Sequence, residues 1–468
     1  MEKLLIKDGY LVTMDPRRRV LKRGSVLVEG SRVAGVGEEI KGGADRVIEA
    51  RGMAVLPGLI NAHTHSPMTL FRGAADDMEL EPWLREKIWP VEARLKAEDC
   101  YVGALLACAE MIKSGTTCFA DMYFFMEKVA EAVGRSGLRA SLSYGMIELG
   151  VPGRCEEELR KGERLVREHH GSFDGRVQTM FGPHAPYTCS PECLQKVRER
   201  AERYGVGIHI HLSETEREVR EVKERYGKSP VELLHSIGLL GPRLLAAHCV
   251  WVDEGEMELM ARSGVKPVHN PASNLKLASG ISPVPAMLGR GIPVALGTDG
   301  AASNNSLDMF QEMKLAALIH KGWGRNPTLL PAQTVLEMAT LHGARALGME
   351  GEVGSIEEGK KADLILIDLR SLRFTPLHQV LSHLVYASTG ELVDTVIVDG
   401  RVLMRRRKLL TLDEEKVVKM AEETASRLFE EGDFKEEPYE ELLELEEELE
   451  KKRKKRGKYR AVYRKAHR

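Results

Sequence analysis

At 468 residues the chain is too long for one small domain, and long enough for an α/β barrel of roughly 250 residues with a second module. Apolar residues make up 43% and charged residues 29%, an ordinary balance for a protein with a substantial core. A formal net charge of −2 excludes the strongly basic composition of a general nucleic-acid or membrane-surface binder.

The first residues, MEKLLIKDGYLVTMD, break their apolar run at Lys7 and Asp8, so no signal peptide is expected. No run of ~18 uninterrupted apolar residues occurs, and no membrane span is expected. Residues 1–56 read as short strands: LLIKDGYLVTM, SVLVEGSRVAGVG and RVIEARGMAVL are aliphatic or β-branched runs punctuated by glycine. Similar runs return at Ala362–Leu369 and Val393–Leu403. Two strand-rich ends around a long middle predict one small β-sandwich built from both termini, residues 1–56 and 358–410.

Between them, residues 57–357 alternate short apolar runs with amphipathic stretches such as Cys193–Tyr204 and Pro230–Ile237. LINAHTH, TTCFADMY, LRASLSYGM, VQTMFGPHAP, GIHIHLSE, LLAAHCV, KPVHNP and PVALGTDG read as eight buried strands. Eight repeats of strand and helix predict a (β/α)8 TIM barrel, whose chemistry sits at the C-terminal ends of its strands. Residues 411–468 form a charged helical extension. It has a helix expected over Leu412–Glu431, a Leu stripe at 442, 445 and 449, and a tail with 11 Lys or Arg in its last 18 positions. A solvated helix and frayed tail suit that composition, with an intersubunit or RNA-contacting arm as the alternative. The seven cysteines are odd in number and contain no C-x-x-C pair, a usage suited to reduced thiols in a cytosol.

The chemistry-bearing residues collect at the predicted strand ends. His63 and His65, two apart at the end of the first barrel strand, share a face and point into the barrel mouth. Alone, an H-x-H also suits a polar core pair. His211 ends the fifth strand, His248 the sixth and Asp299 the eighth. Buried histidine and aspartate need partners or a metal, so their convergence points to one divalent cation. Neutral imidazoles suit Zn²⁺, with Fe²⁺ or Mn²⁺ as alternatives. Glu214, three residues after His211, would overhang the ion and exchange protons with water and substrate. The other reading makes it a helix-capping acid in a helix opening at Ser213. His209, one layer deeper than His211, reads as a hydrogen-bonded core histidine.

These motifs, PGLINAHTH, HLSE, AAHC and GTDG in order, resemble the amidohydrolase superfamily. The tracts EPWLREKIWPVE at 81–92, GPHAPYTC at 182–189 and HNPASNLKLASGISPV at 269–284 are similar to deaminases of methylthioadenosine, S-adenosylhomocysteine and 5′-deoxyadenosine. Residues 120–146 resemble the archaeal 5′-deoxyadenosine branch, and the resemblance spans about 1–410. It implies hydrolytic deamination of a nucleoside, with His63, His65, His211 and Asp299 holding the ion. Glu214, His248 and Asp299 would carry the proton and oxyanion work. Glu92 would take the ribose hydroxyls, although VEARLKAED also reads as a surface helix, and His184 would contact the nucleoside. Trp83 and Trp89 would wall the pocket or pack a lid. Arg154 lies where family members grip a substrate carboxylate, but Tyr144 stands where a second arginine is sought, which favours 5′-deoxyadenosine. The resemblance also implies a homo-oligomer, a tetramer, while cysteine usage and net charge lead to the expectation of a cytoplasmic protein without nucleic-acid or membrane partners. A deaminase or hydrolase of another ring (guanine, cytosine or a triazine) and a non-catalytic scaffold are the competing readings.

Overall fold

The protein is described by a computed structural model over residues 2–40 and 43–429. The chain divides into two units, Met1–Ala425 and Ser426–Arg468. Of the second, residues 426–429 are described, at the end of a helix over Glu414–Leu428. The Leu stripe and the basic tail lie outside the described residues.

Five strands open the chain: β1 (Lys3–Val12), β2 (Val20–Glu29), β3 (Arg32–Gly37), β4 (Arg46–Glu49) and β5 (Met53–Pro57). Eight more follow in the middle: β6 (Leu59–Thr64), β7 (Thr116–Tyr123), β8 (Arg139–Met146), β9 (Val177–Pro183), β10 (Gly207–Leu212), β11 (Leu244–His248), β12 (Lys266–His269) and β13 (Ala295–Leu296). Four close the fold: β14 (Leu364–Asp368), β15 (Val393–Val398), β16 (Arg401–Arg405) and β17 (Lys408–Leu409). The first and last groups join in one nine-stranded, mostly antiparallel sheet, ordered β17-β16-β15-β14-β5-β1-β2-β3 with β4 beside β1. Leu4, Ile6, Val26, Val33, Ile48, Leu366, Ile397 and Val402 meet in a single cluster, so the sheet curls over its own core as a sandwich does.

The eight middle strands pair in chain order and in parallel, β6 through β13, which is the expected barrel. Helices between successive strands cover the outer face and inward side chains fill the interior, so the strands are buried on both faces and read as nearly continuous apolar runs. Ala62, Ala120, Met180, Leu245, Val268 and Ala295, each from a different strand, pack together inside. The last strand is shorter than PVALGTDG suggests. Beyond Leu296 side-chain bonds replace the ladder: Thr298 N donates to Asn61 Oδ1 (3.0 Å) and Asn61 Nδ2 to Thr298 Oγ1 (2.7 Å). Gly297 permits this approach, because a Cβ there would meet Asn270 Oδ1 at 2.6 Å and the His63 backbone at 2.8 Å. Asp299 N then donates to His63 O (3.0 Å), bringing the eighth strand's end back to the first.

Three expectations are corrected. The thiols are not all free: Cys155 and Cys193 form a disulfide, with Cα atoms 5.7 Å apart, because helices Arg154–His169 and Pro191–Tyr204 pack at that point. Sequence spacing carried no sign of it, as the two residues are 38 positions apart. The other five cysteines are free and buried. VEARLKAED is not one helix; a short turn ends at Glu92 and a new helix begins at Ala97. The last helix begins at Glu414, not Leu412. No helix among the described residues is long and apolar enough to cross a membrane.

A buried ion pair links barrel and sandwich. Arg139, opening β8, donates to both oxygens of Asp363, just before β14 (2.8 and 3.1 Å), and both side chains are at most 5% exposed. Removing Asp363 leaves the buried Arg139 with only a longer contact to Asp399 (3.4 Å) in a low-dielectric interior. Asp363→Ala is expected to lower stability by about 3–5 kcal/mol, measured by denaturant unfolding.

Candidate active site

Every residue of the predicted site lies at or just beyond the C-terminal end of a barrel strand, apart from Glu92. His63 is in β6 and His65 follows it. Their rings are nearly perpendicular, with centroids 4.9 Å apart. Asp299 Oδ1 lies 3.3 Å from His63 Nε2 and 3.2 Å from His65 Nε2. His211 Nε2 lies 3.2 Å from His65 Nε2. Two overlapping donor sets result, His63–His65–Asp299 and His63–His211–His248, each with ligand atoms within 4.8 Å of one another. His248, expected beside the ion and off it, therefore stands close enough to belong to the second set.

The outer nitrogens explain why the inner ones are bare. His65 Nδ1 faces Met122 O (2.5 Å) and His211 Nδ1 faces His184 O (2.7 Å). A carbonyl only accepts, so each Nδ1 carries a proton and each Nε2 is the nitrogen turned toward the cluster, with a lone pair to offer whenever its ring is neutral. His63 reaches the same state through three links. Ser143 Oγ donates to Asp121 O (2.7 Å), His209 Nδ1 donates to Ser143 Oγ (3.1 Å), and His63 Nδ1 donates to His209 Nε2 (2.8 Å). His63 Nε2 is buried and has no hydrogen-bond partner among the described residues. The core reading of His209 thus holds, and its contact with His63 adds an orienting role that sequence spacing did not reveal. Asp299 Oδ2 accepts from Ser273 Oγ (2.6 Å) and Ser303 Oγ (2.8 Å), which leaves Oδ1 toward the histidines. Burial alone would raise the Asp299 carboxyl, but the adjacent His63 and His65 hold it well below the usual range. A buried lone-pair cluster with one carboxylate fits a divalent cation.

Glu214 stands over this cluster. The cap of the following helix, Glu216–Tyr226, is Thr215, so Glu214 is not its capping acid. Glu214 Oε1 accepts from Ser279 Oγ (3.3 Å), and Oε2 lies 3.8 Å from His248 Nε2. Burial pushes the Glu214 carboxyl up, which suits a group that must hold a proton and release it. His248 Nδ1 lies 2.8 Å from Asn274 Oδ1 and 3.4 Å from Asn270 Nδ2, so two amides orient its ring.

Glu92 and His184 frame the approach. Glu92 accepts from Tyr123 OH (2.6 Å), and burial pushes its carboxyl up. Burial lowers His184 to about 3, so its ring is neutral. Its Nδ1 lies 3.0 Å from Thr188 Oγ1. The pocket over the histidines, about 80 Å³, is lined by His65, His184, His211, Glu214, Trp83 and Trp89 among others. Trp83 also donates its indole N–H to Ala75 O (3.0 Å), so it both walls the pocket and packs the segment above it. A larger cavity of about 710 Å³ shares Trp89, Glu92, Phe124 and Ile147 with this pocket. Arg154 and Tyr144 line that cavity and stand apart from the metal cluster.

A parallel barrel with histidines and aspartate at its strand ends defines a metal-dependent hydrolase scaffold. Residues 54–403 match the amidohydrolase family, and the chain belongs to it. It is 55% identical over 428 residues to a 5′-deoxyadenosine deaminase of Methanosarcina acetivorans, covering 92% of this chain and 99% of that one. It is 53% identical over 384 residues to a 5-methylthioadenosine/S-adenosylhomocysteine deaminase of Dictyoglomus thermophilum, covering 82% and 89%. Among solved structures, an adenosine deaminase from Xanthomonas campestris with bound zinc superimposes with a TM-score of 0.87 at 39% identity, over 91% of this chain and 98% of that one.

The relay through Ser143 and His209 predicts an effect on ion binding. His209→Phe fills the same space without an acceptor for His63 Nδ1–H. It is expected to weaken divalent-metal affinity by about 10–100-fold, read by competition with a chromogenic chelator.

Proposed function

We propose that this protein hydrolytically deaminates adenosine-type nucleosides, with 5′-deoxyadenosine preferred and S-adenosylhomocysteine, 5′-methylthioadenosine and adenosine also accepted. The products are the corresponding inosine analogue and ammonia. The observation that carries the reading is the lone-pair cluster with Glu214 above it, in a chain 55% identical to a named 5′-deoxyadenosine deaminase. A resident cation, zinc in this proposal, with iron or manganese as alternatives, would be held by His63, His65, His211 and Asp299. When bound it supplies the Lewis acidity that makes water nucleophilic near neutral pH.

The side chains divide the remaining work. Glu214 takes a proton from the attacking water and delivers it to N1 of the purine, which makes C6 electrophilic. Water oxygen bonds to C6 as the C6–N1 double bond opens. His248, 3.8 Å from Glu214, steadies the negative charge on that oxygen. Asp299 takes the remaining proton and passes it to the exocyclic amine, the C6–N bond breaks, and ammonia leaves. Glu92 accepts hydrogen bonds from the ribose hydroxyls, a task for which its carboxylate keeps Oε2 and the second lone pair of Oε1 beside the Tyr123 hydroxyl. His184 contacts the nucleoside from the opposite wall. The larger cavity beyond Glu92 gives room for a 5′-substituent, which supports tolerance of several tails. The proposal extends, by resemblance, to a homotetramer, and to a cytoplasmic location.

Glu214→Gln is expected to retain the metal and the fold and to lose about 10²–10⁴-fold in kcat. The assay is ammonia release from a panel of 5′-substituted adenosines, with and without chelator, beside metal analysis. Near-normal turnover by the variant, or wild-type activity on free bases and not on nucleosides, contradicts the proposal.

A further inference from the structure

The backbone that carries Glu214 is held in an unusual way. β10 ends at Leu212, and Ser213 turns the chain with φ +50°, a left-handed conformation that a residue with a Cβ adopts only at a cost. That turn swings Glu214 from the strand's line to a place above the histidines. Two sets of bonds hold it there. From one side, Val250 N (3.0 Å) and Trp251 N (2.9 Å), just after β11, both donate to Ser213 O. From the other, Ser213 N donates to Glu218 Oε1 (3.1 Å) and Glu214 N to Glu218 Oε2 (2.7 Å). Glu218 is 4% exposed, so neither bond competes with bulk water.

A helix-capping role alone does not account for this. Thr215 is the N-cap of helix Glu216–Tyr226 and accepts from Glu218 N (3.1 Å). In an ordinary capping box the third residue reaches back to the cap residue's own N–H. Here the Glu218 carboxylate meets the Thr215 N–H as a capping box would, and reaches past it to the two residues upstream of the cap, the strained Ser213 and Glu214 itself. Leaving those buried N–H groups unpaired would favour relaxation of the turn.

We propose that Glu218 is a positioning residue that fixes Glu214, clamping two consecutive backbone N–H groups so that the Glu214 carboxylate stays within reach of His248 and the metal cluster. The inference rests on the proton-transfer role given above to Glu214. A displacement of about 1 Å of a reacting group can cost on the order of 10²-fold in rate, so such a clamp governs turnover without touching substrate.

The test uses the full-length metal-loaded protein as Glu218→Gln and Glu218→Ala, with Thr215→Ala as the control that weakens the helix cap and leaves the clamp. Glu218→Gln keeps the size of the side chain, so it reports even if Glu218→Ala does not fold. Three quantities are read: kcat and KM for 5′-deoxyadenosine, metal content, and amide hydrogen exchange of the peptide spanning Ser213 and Glu214. Expected for Glu218→Gln is a fall in kcat of about 10–100-fold with KM within about two-fold and metal content unchanged. Exchange of that peptide should accelerate by at least about ten-fold. Thr215→Ala should lower the melting temperature and keep kcat within about two-fold of the parent. The clamp is overturned if Glu218→Gln leaves both kcat and exchange at the parent's values, or if Thr215→Ala loses as much kcat as Glu218→Gln. A parent inert toward every adenosine tested overturns the functional reading instead. The exchange measurement then decides the clamp alone, and unaccelerated exchange in Glu218→Gln overturns it.

Discussion

The structure depends on a set of imidazole nitrogens turned toward one another and toward one carboxylate at the barrel mouth. His63, His65 and His211 have each committed Nδ1 outward, to His209, to Met122 O and to His184 O. Their Nε2 atoms are left to face one another and a single carboxylate. Such a group taken out of water costs several kcal/mol unless something positive answers it. The barrel supplies the rigid backbone that keeps these donors together against that cost. Burial would raise the Asp299 carboxyl, but the hydrogen bonds and charge of the two flanking imidazoles hold it well below the usual range. A cation is the natural resolution of that geometry, and the family's zinc-bound structural neighbour is in keeping with it.

Around this cluster the protein spends polar contacts on orientation. Ser273 and Ser303, from the short helices Pro271–Lys276 and Ala301–Asn304 that follow β12 and β13, both donate to Asp299 Oδ2. Buried Glu312 ties those same two short helices, accepting from Ala272 N (3.2 Å) and Asn304 Nδ2 (2.8 Å). Glu218 does the corresponding work at the end of β10. Each of these groups is buried, and each pairs a carboxylate with backbone N–H or neutral side-chain donors. The electrostatic field at the reacting centre is therefore set before substrate arrives, which is the condition under which fixed dipoles contribute most to catalysis.

The segment over the mouth is built differently. The run Leu80–Glu92 forms short α and π turns, and joins helix Glu216–Tyr226 through an ion pair between Glu81 and Arg217. π-turns are uncommon and recur at functional sites, and this one brings Trp83, Trp89 and Glu92 to the same pocket. Rigid strands thus hold the ion cluster, while an irregular segment supplies the walls that meet the nucleoside in the proposed function.

The eight-strand barrel was legible in the chain itself, since strands buried on both faces must be apolar along their whole length. The candidate site was legible for the same reason: His63, His65, His211, His248 and Asp299 interrupt those runs where a barrel places its chemistry. Relations between distant elements were not legible. The Cys155–Cys193 disulfide and the Arg139–Asp363 pair each join residues whose separation in sequence carries no periodic signal. The orienting role of His209 depends on Ser143, 66 residues away, meeting it inside the barrel. The local pattern S-E-T-E-R-E announced a helix start at 213–218. Only the folded turn at Ser213 decided that Thr215 caps that helix, and that the carboxylate of Glu218 reaches past the cap to the residue proposed to move protons. Sequence thus determined which side chains reach the barrel mouth, because strand periodicity is local. Tertiary structure decided how each is aimed, because hydrogen-bond direction depends on neighbours that only folding brings close.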